Sequence, residues 1–268
     1  MKILSRIRAI VGKTEASDPR IAVFGDSHTV ALLRAKQYSK RTHEYEHINV
    51  SRLRKKKGGT SVGDASLNDF CREISDFRPG DYVFSAIGGN QYAIVSTVRS
   101  AVDYDFLSSA SDDAYDPTAQ LVPFRALAGF IEDGVRETIG PVLRKIRSST
   151  QAKVFHLAPP PPKQDNEFIV AHAEGYFTKE GLQDLGPTRP DLRLKCWRLQ
   201  LNILSDLCGE LGMRLVMPPE RTITVDGYLD PICYANDVTH ANRRYGEAVC
   251  RQIIRITKIK AHARAKAG

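Results

Sequence analysis

The run Ile21-Ala22-Val23-Phe24 is apolar at four consecutive positions and stops abruptly at Gly25-Asp26-Ser27-His28. A strand with one wet face alternates apolar and polar residues. An unbroken apolar run before a turn signal instead predicts a strand covered on both faces, as in a parallel sheet between helical layers. Residues 29–35 then have helical character, so the turn carries a serine to the carboxyl edge of the sheet. Open α/β folds collect their ligands at that edge. The helix N-terminus adds N–H groups without intrahelical partners, which can face a developing negative charge. A serine in such a turn is also an ordinary helix cap, so a chemical role requires partners elsewhere.

Further strands are expected at 47–50, a weak one, and at 83–87, 154–157 and 214–217. Between them lie helical patterns at 64–77, at 123–150 with a kink expected at Pro141, at 192–211 and at 241–256. Strands alternating with helices, about five units in all, predict a parallel sheet with helices on both faces. Leu192 to Leu211 carries Trp197, Leu201, Leu204 and Cys208 on one stripe, which reads as core. His156, inside an apolar run, reads as a core histidine. With 268 residues and 42% hydrophobic content there is material for one sizeable core. One domain is expected over 19–257, flanked by a basic leader at 1–18 and a basic tail at 258–268. The pattern fails over 91–122, where acids are scattered among Ser and Ala. That stretch reads as an insertion near the mouth of the site, a lid, with no ligand spacing that supports a metal. Residues 163–190 read as irregular and as a second place for substrate contacts.

The serine does have partners. Asp237-Val238-Thr239-His240 supplies an acid and an imidazole three residues apart, and the run at 83–87 ends in Gly88-Gly89-Asn90. A serine hydroxyl needs an adjacent base near neutral pH. His240 is the candidate base, and Asp237 the acid that fixes its tautomer, with Asp226 and Asp230 as rival acids in a nearby loop. Asp26 reads as a structural residue of the turn. These blocks, in this order, resemble the SGNH (GDSL-like) hydrolases, which carry Ser, Gly, Asn and His in separate blocks. Gly25-Asp26-Ser27, Gly88-Gly89-Asn90 and Asp237-Val238-Thr239-His240 match three of them. The glycine block is assigned to Gly58 in preference to Gly59, both ahead of Thr60. His28 and Gln91 depart from the family pattern, where many members carry leucine and aspartate.

The resemblance spans residues 21 to about 256 and implies a three-layer α/β/α sandwich of flavodoxin-like type. It also implies an oxyanion hole made by the Ser27 N–H, the Gly58 N–H and the Asn90 side-chain amide, and a carboxylic ester substrate cleaved through an acyl-enzyme with no metal or organic cofactor. The compact length favours a short acyl group, such as an O-acyl group on a carbohydrate. An alternative reading of another class is a non-hydrolytic relative, acting as an acyltransferase or as a binding module for an anionic glycan or membrane surface.

The formal net charge of +8 raises the question of an anionic partner. Arg52, Arg54, Lys55, Lys56 and Lys57 form a basic cluster that reads first as a solvated loop and second as a rim attracting acidic substrates. No aromatic residues interleave with it, so nucleic acid is not expected. The leader, with Ile3, Leu4, Ile7, Ile10 and Val11 among basic residues, is too short and too charged for a signal peptide or a membrane span. As an amphipathic helix it could make weak contact with an anionic membrane surface. The five cysteines, odd in number and without metal-like spacing, read as reduced core residues of a cytoplasmic protein.

Overall fold

The computed structural model describes residues 18–39, 43–57, 60–107 and 115–258. Nearly all of the expected leader and tail, and the Gly58-Gly59 pair, lie outside the described residues.

Strand β1 (Ile21–Gly25) feeds helix α1 (Thr29–Tyr38), and β2 (Ile48–Arg52) leads into a hairpin of β3 (Lys55–Lys57) and β4 (Thr60–Val62). Then come α2 (Leu67–Glu73), β5 (Tyr82–Ala86), α3 (Gln91–Ser96) and a short pair, β6 (Tyr104–Asp105) with β7 (Gln120–Leu121). Helices α4 (Phe124–Thr138) and α5 (Gly140–Ser148) precede β8 (Lys153–Leu157). The remainder is α6 (Asn166–Ala171), α7 (Gly175–Lys179), α8 (Leu182–Leu185), the long α9 (Pro190–Glu210), β9 (Arg214–Val216) and α10 (Arg243–Thr257).

The main sheet has the order β2-β1-β5-β8-β9, with every pairing parallel. This is the expected three-layer α/β/α sandwich. Period-two alternation divides the continuous apolar strands between two cores. Ile21 and Val23 of β1 pack with Phe84, Phe155 and the inner faces of α1 and α10. Ala22 and Phe24 point the other way, onto α2, α4, α5 and α9. Phe24 stacks on Phe70 of α2 at 4.5 Å between ring centroids. Trp197, Leu201, Leu204 and Cys208 of α9 are buried in this second core, as their stripe predicts.

Helices α1 and α10 pack backbone to backbone. Gly246 lies so close to Ala31 and Leu32 that an added Cβ would fall well inside contact with the Ala31 carbonyl. The contact matters to the site, because Ser27 lies two residues before α1 and His240 three residues before α10.

The pattern at 123–150 resolves into two helices rather than one kinked helix, with Pro141 in the first turn of α5, where its missing N–H has no partner to lose. The stretch after Asn90 is more ordered than expected, since α3 starts at Gln91. Its described acids, Asp103, Asp105 and Asp116, are engaged by cations. Asp105 is fully buried between Lys195 Nζ at 2.6 Å and the Arg189 guanidinium at 2.9 Å. Asp116 pairs with Arg189, and Asp103 with Arg99. Among the described residues no group of His, Cys, Asp and Glu could hold a metal ion. Residues 163–190, expected to be irregular, hold α6 to α8. No described helix is long and apolar enough to cross a membrane.

Candidate active site

The site lies at the carboxyl edge of the sheet, over β1 and β5. The turn after β1 is held by Asp26, whose carboxylate accepts the Gly88 N–H at 2.9 Å and whose backbone carbonyl accepts the Thr29 hydroxyl at 2.6 Å. Asp26 thus ties the serine turn to the glycine-asparagine turn, the structural role expected of it. Ser27 is not spent on capping: α1 has no side-chain cap bond, and the Ser27 hydroxyl and N–H have no hydrogen-bond partner among the described residues. Asn90 stands at the cap position of α3 yet makes no cap bond either. Its Oδ1 is buried without a partner. Asn90 occupies the cap position of its helix and Ser27 the position just before the cap, His28, and neither side chain makes a capping bond.

The acid and the imidazole meet as their spacing suggests. His240 Nδ1 lies 3.0 Å from Asp237 Oδ2. Asp237 Oδ1 accepts the backbone N–H groups of Thr239 at 3.0 Å and His240 at 2.6 Å. Burial opposes charge on Asp237, but the hydrogen bonds from the His240 ring and backbone, with the charge of Lys163, outweigh it and hold the carboxyl well below its ordinary range. A charged acceptor on Nδ1 places the ring proton there and leaves Nε2 as the basic nitrogen. That Nε2 is buried and has no partner among the described residues. Of the rival acids, Asp230 accepts the Ile232 N–H at its own turn, and among the described residues the His240 ring bonds Asp237 and neither rival.

The His28 ring lies 5.1 Å from that of His240. Among the described residues its Nε2 makes no well-formed hydrogen bond, although the Asn90 side chain favours the charged ring. Burial, reinforced by the neighbouring His240 and opposed by Asp26, lowers its pKa and favours the neutral ring. An apolar cavity of about 20 Å³ abuts the site, walled by His28, Ala86, Gly88, Pro159, Ala241 and Tyr245. The serine, asparagine and histidine blocks each have a residue or an immediate neighbour in that wall.

Gly58 lies outside the described residues, between β3 and β4. A glycine not selected from the sequence, Gly63, returns the chain to the sheet edge. It has φ +109 and packs on the Leu53 carbonyl, while the Leu53 N–H bonds the Gly25 carbonyl at 2.7 Å. The Gly63 N–H has no partner among the described residues. The usable signal was Gly63-Asp64 just ahead of the capping box of Ser66 and Asp69 that opens α2. Lys163 is a second residue that the sequence did not single out. It is buried, with Nζ bonded to the carbonyls of Ala235 at 2.6 Å and of Asp237.

No family model matches the chain, and no curated protein matches it. Solved structures do. The chain is similar in fold to GDSL-like lipases. A GDSL-like lipase from Bacteroides thetaiotaomicron shares 12% identity at a TM-score of 0.45, covering 95% of each chain. A phospholipase A1 from Streptomyces albidoflavus shares 11% at 0.46, covering 91% of this chain and 100% of its own. A carbohydrate acetylesterase from Sinorhizobium meliloti shares 14% at 0.41, covering 89% and 99%. Likeness at this distance carries no argument about activity, which rests on the residues themselves.

Proposed function

We propose that this chain is a serine ester hydrolase working through an acyl-enzyme on Ser27, with His240 as base and Asp237 as the acid that orients it. The observation that carries this reading is the Asp237–His240 pair, which leaves Nε2 unpartnered among the described residues, with the ring 5.1 Å from that of His28, the chain neighbour of Ser27, whose hydroxyl is also unpartnered there. As Ser27 Oγ bonds the ester carbonyl carbon, its proton passes to His240 Nε2 and the carbonyl π pair moves to oxygen. The resulting oxyanion is received by the Ser27 N–H and the Asn90 side-chain amide. We assign the third donor to the Gly63 N–H, with Gly58 as the other candidate. Collapse breaks the bond to the alcohol oxygen, which takes the proton from His240. Water then attacks the acyl carbon, giving a proton to the same nitrogen, and collapse breaks the bond to Ser27 Oγ, which takes that proton back from His240 as the acid is released. Losing one oxyanion donor costs about a hundredfold or more in turnover.

A cavity of about 20 Å³ has room for a methyl-sized group and little more, which favours acetyl over long acyl chains. An O-acetylated sugar is therefore the first natural substrate class to try. All five cysteines are unpaired and buried, which supports a reducing compartment such as the cytoplasm. The test is turnover of activated esters of graded acyl length and of an acetylated sugar, with Ser27→Ala alongside. The reading expects turnover falling steeply beyond acetyl and absent in the variant. Turnover that is equal in both proteins contradicts it.

A further inference from the structure

Lys163 follows the run Pro159 to Pro162 that leaves β8, and its side chain is fully buried. A buried ammonium is costly unless its protons are taken up, and two of the three are received by carbonyl oxygens, of Ala235 and of Asp237. The third direction faces Asp237 Oδ1 at 3.8 Å, with the rings of Phe168 on α6 and Tyr234 packed 4.8 Å and 5.1 Å from Nζ. The carbonyls belong to the turn that presents the carboxylate to His240. On the other side, the Lys163 backbone carbonyl accepts from Arg193 of α9 at 3.1 Å, and the same guanidinium holds Gln164 and Asn166. Arg193 is itself buried. The turn is therefore anchored to α9 through two buried cations in series.

We propose that Lys163 is a positioning residue for the acid–base pair, clamping the backbone at Ala235 and Asp237 and setting the field at the carboxylate that orients His240. The functional half of this inference rests on the hydrolase reading, while the electrostatic half does not. The charged groups facing the ammonium are Asp237 on the turn and, beyond the lysine's own carbonyl, Arg193 on α9. Tyr234 is the titratable ring against it, and Asp165 caps α6. Burial lowers the lysine to about 8 against the pull of Asp237, so it remains a cation through the acidic and neutral range.

The account makes a demand that a space-filling role does not. Removing the positive charge makes the imidazolium at His240 easier to form. In Lys163→Met and Lys163→Gln, the titration midpoint of the His240 ring, followed by NMR in the whole chain, should rise by about half a unit to one unit. In Lys163→Arg it should stay at the wild-type value. With a short-acyl ester, Lys163→Met should lower kcat about 10- to 100-fold with KM within about twofold, and Lys163→Arg should recover part of the loss. Should Lys163→Met fail to fold, Lys163→Gln, which keeps a donor without the charge, carries the same ring measurement. An unmoved His240 midpoint in the neutral variants overturns the proposal, whatever happens to stability. Absence of wild-type turnover would instead overturn the hydrolase reading, leaving the ring titration to decide the lysine's role.

Discussion

Asp237 receives both the ring and the backbone of His240, with Oδ2 3.0 Å from Nδ1 and Oδ1 2.6 Å from the backbone N–H. One carboxylate thereby fixes the direction of the imidazole and the start of the segment that leads into α10. Asp237→Asn keeps the shape and a carbonyl oxygen for the backbone bonds, but can present an N–H to Nδ1. The ring then carries its proton on Nε2, where it cannot accept one from Ser27. The expected result is a loss of about a thousandfold or more in kcat with the fold intact, checked by steady-state kinetics beside a thermal melt.

The backbone contact of Gly246 with Ala31 sets the spacing of α1 and α10, and through them the approach of His240 to Ser27. In an ordinary helix interior Gly→Ala is stabilising by about 0.5–1 kcal/mol. Here the added methyl meets the backbone of α1, so the helices must separate. Gly246→Ala should destabilise by roughly 1–3 kcal/mol, several degrees in Tm, and lower kcat as well. A variant as stable and as active as wild type would contradict this account of the packing.

His156 on β8 is buried with neither ring nitrogen in a well-formed hydrogen bond among the described residues, and burial, opposed by the Asp26 charge and the Ser85 backbone, pushes its pKa down from 6.5 to about 4. Between these values the unfolded chain binds the proton and the folded one does not, so this group makes stability rise with pH. Its contribution is complete above about 6.5 and is lost as the pH falls toward 4, amounting to about 2 kcal/mol by pH 5. Urea unfolding at pH 7 and pH 5 should show the loss in wild type and a smaller one in His156→Phe. Equal losses in the two proteins would contradict it.

The sheet was legible because β1, β5 and β8 are buried on both faces and their apolar runs are continuous, so no other arrangement covers them. Ser27, Asn90, Asp237 and His240 were legible because each directly follows an apolar run or precedes a helix. Gly58 lies outside the described residues, whereas Gly63 is marked by a folded relationship, its contact with Leu53 behind a hairpin. The order after Asn90 was hidden because it depends on distant cations: Asp105 is matched by Lys195, far along the chain on α9. Lys163 was invisible for the same reason, since its two carbonyl partners lie more than seventy residues away.

The central claim is that the hydroxyl of Ser27 is the nucleophile. The most direct measurement is reaction of the intact protein with a fluorophosphonate probe, with the modified residue mapped by mass spectrometry. The account predicts a single stoichiometric adduct on Ser27, absent in Ser27→Ala and formed far more slowly in His240→Ala. No adduct on Ser27, or a rate indifferent to His240, would contradict it.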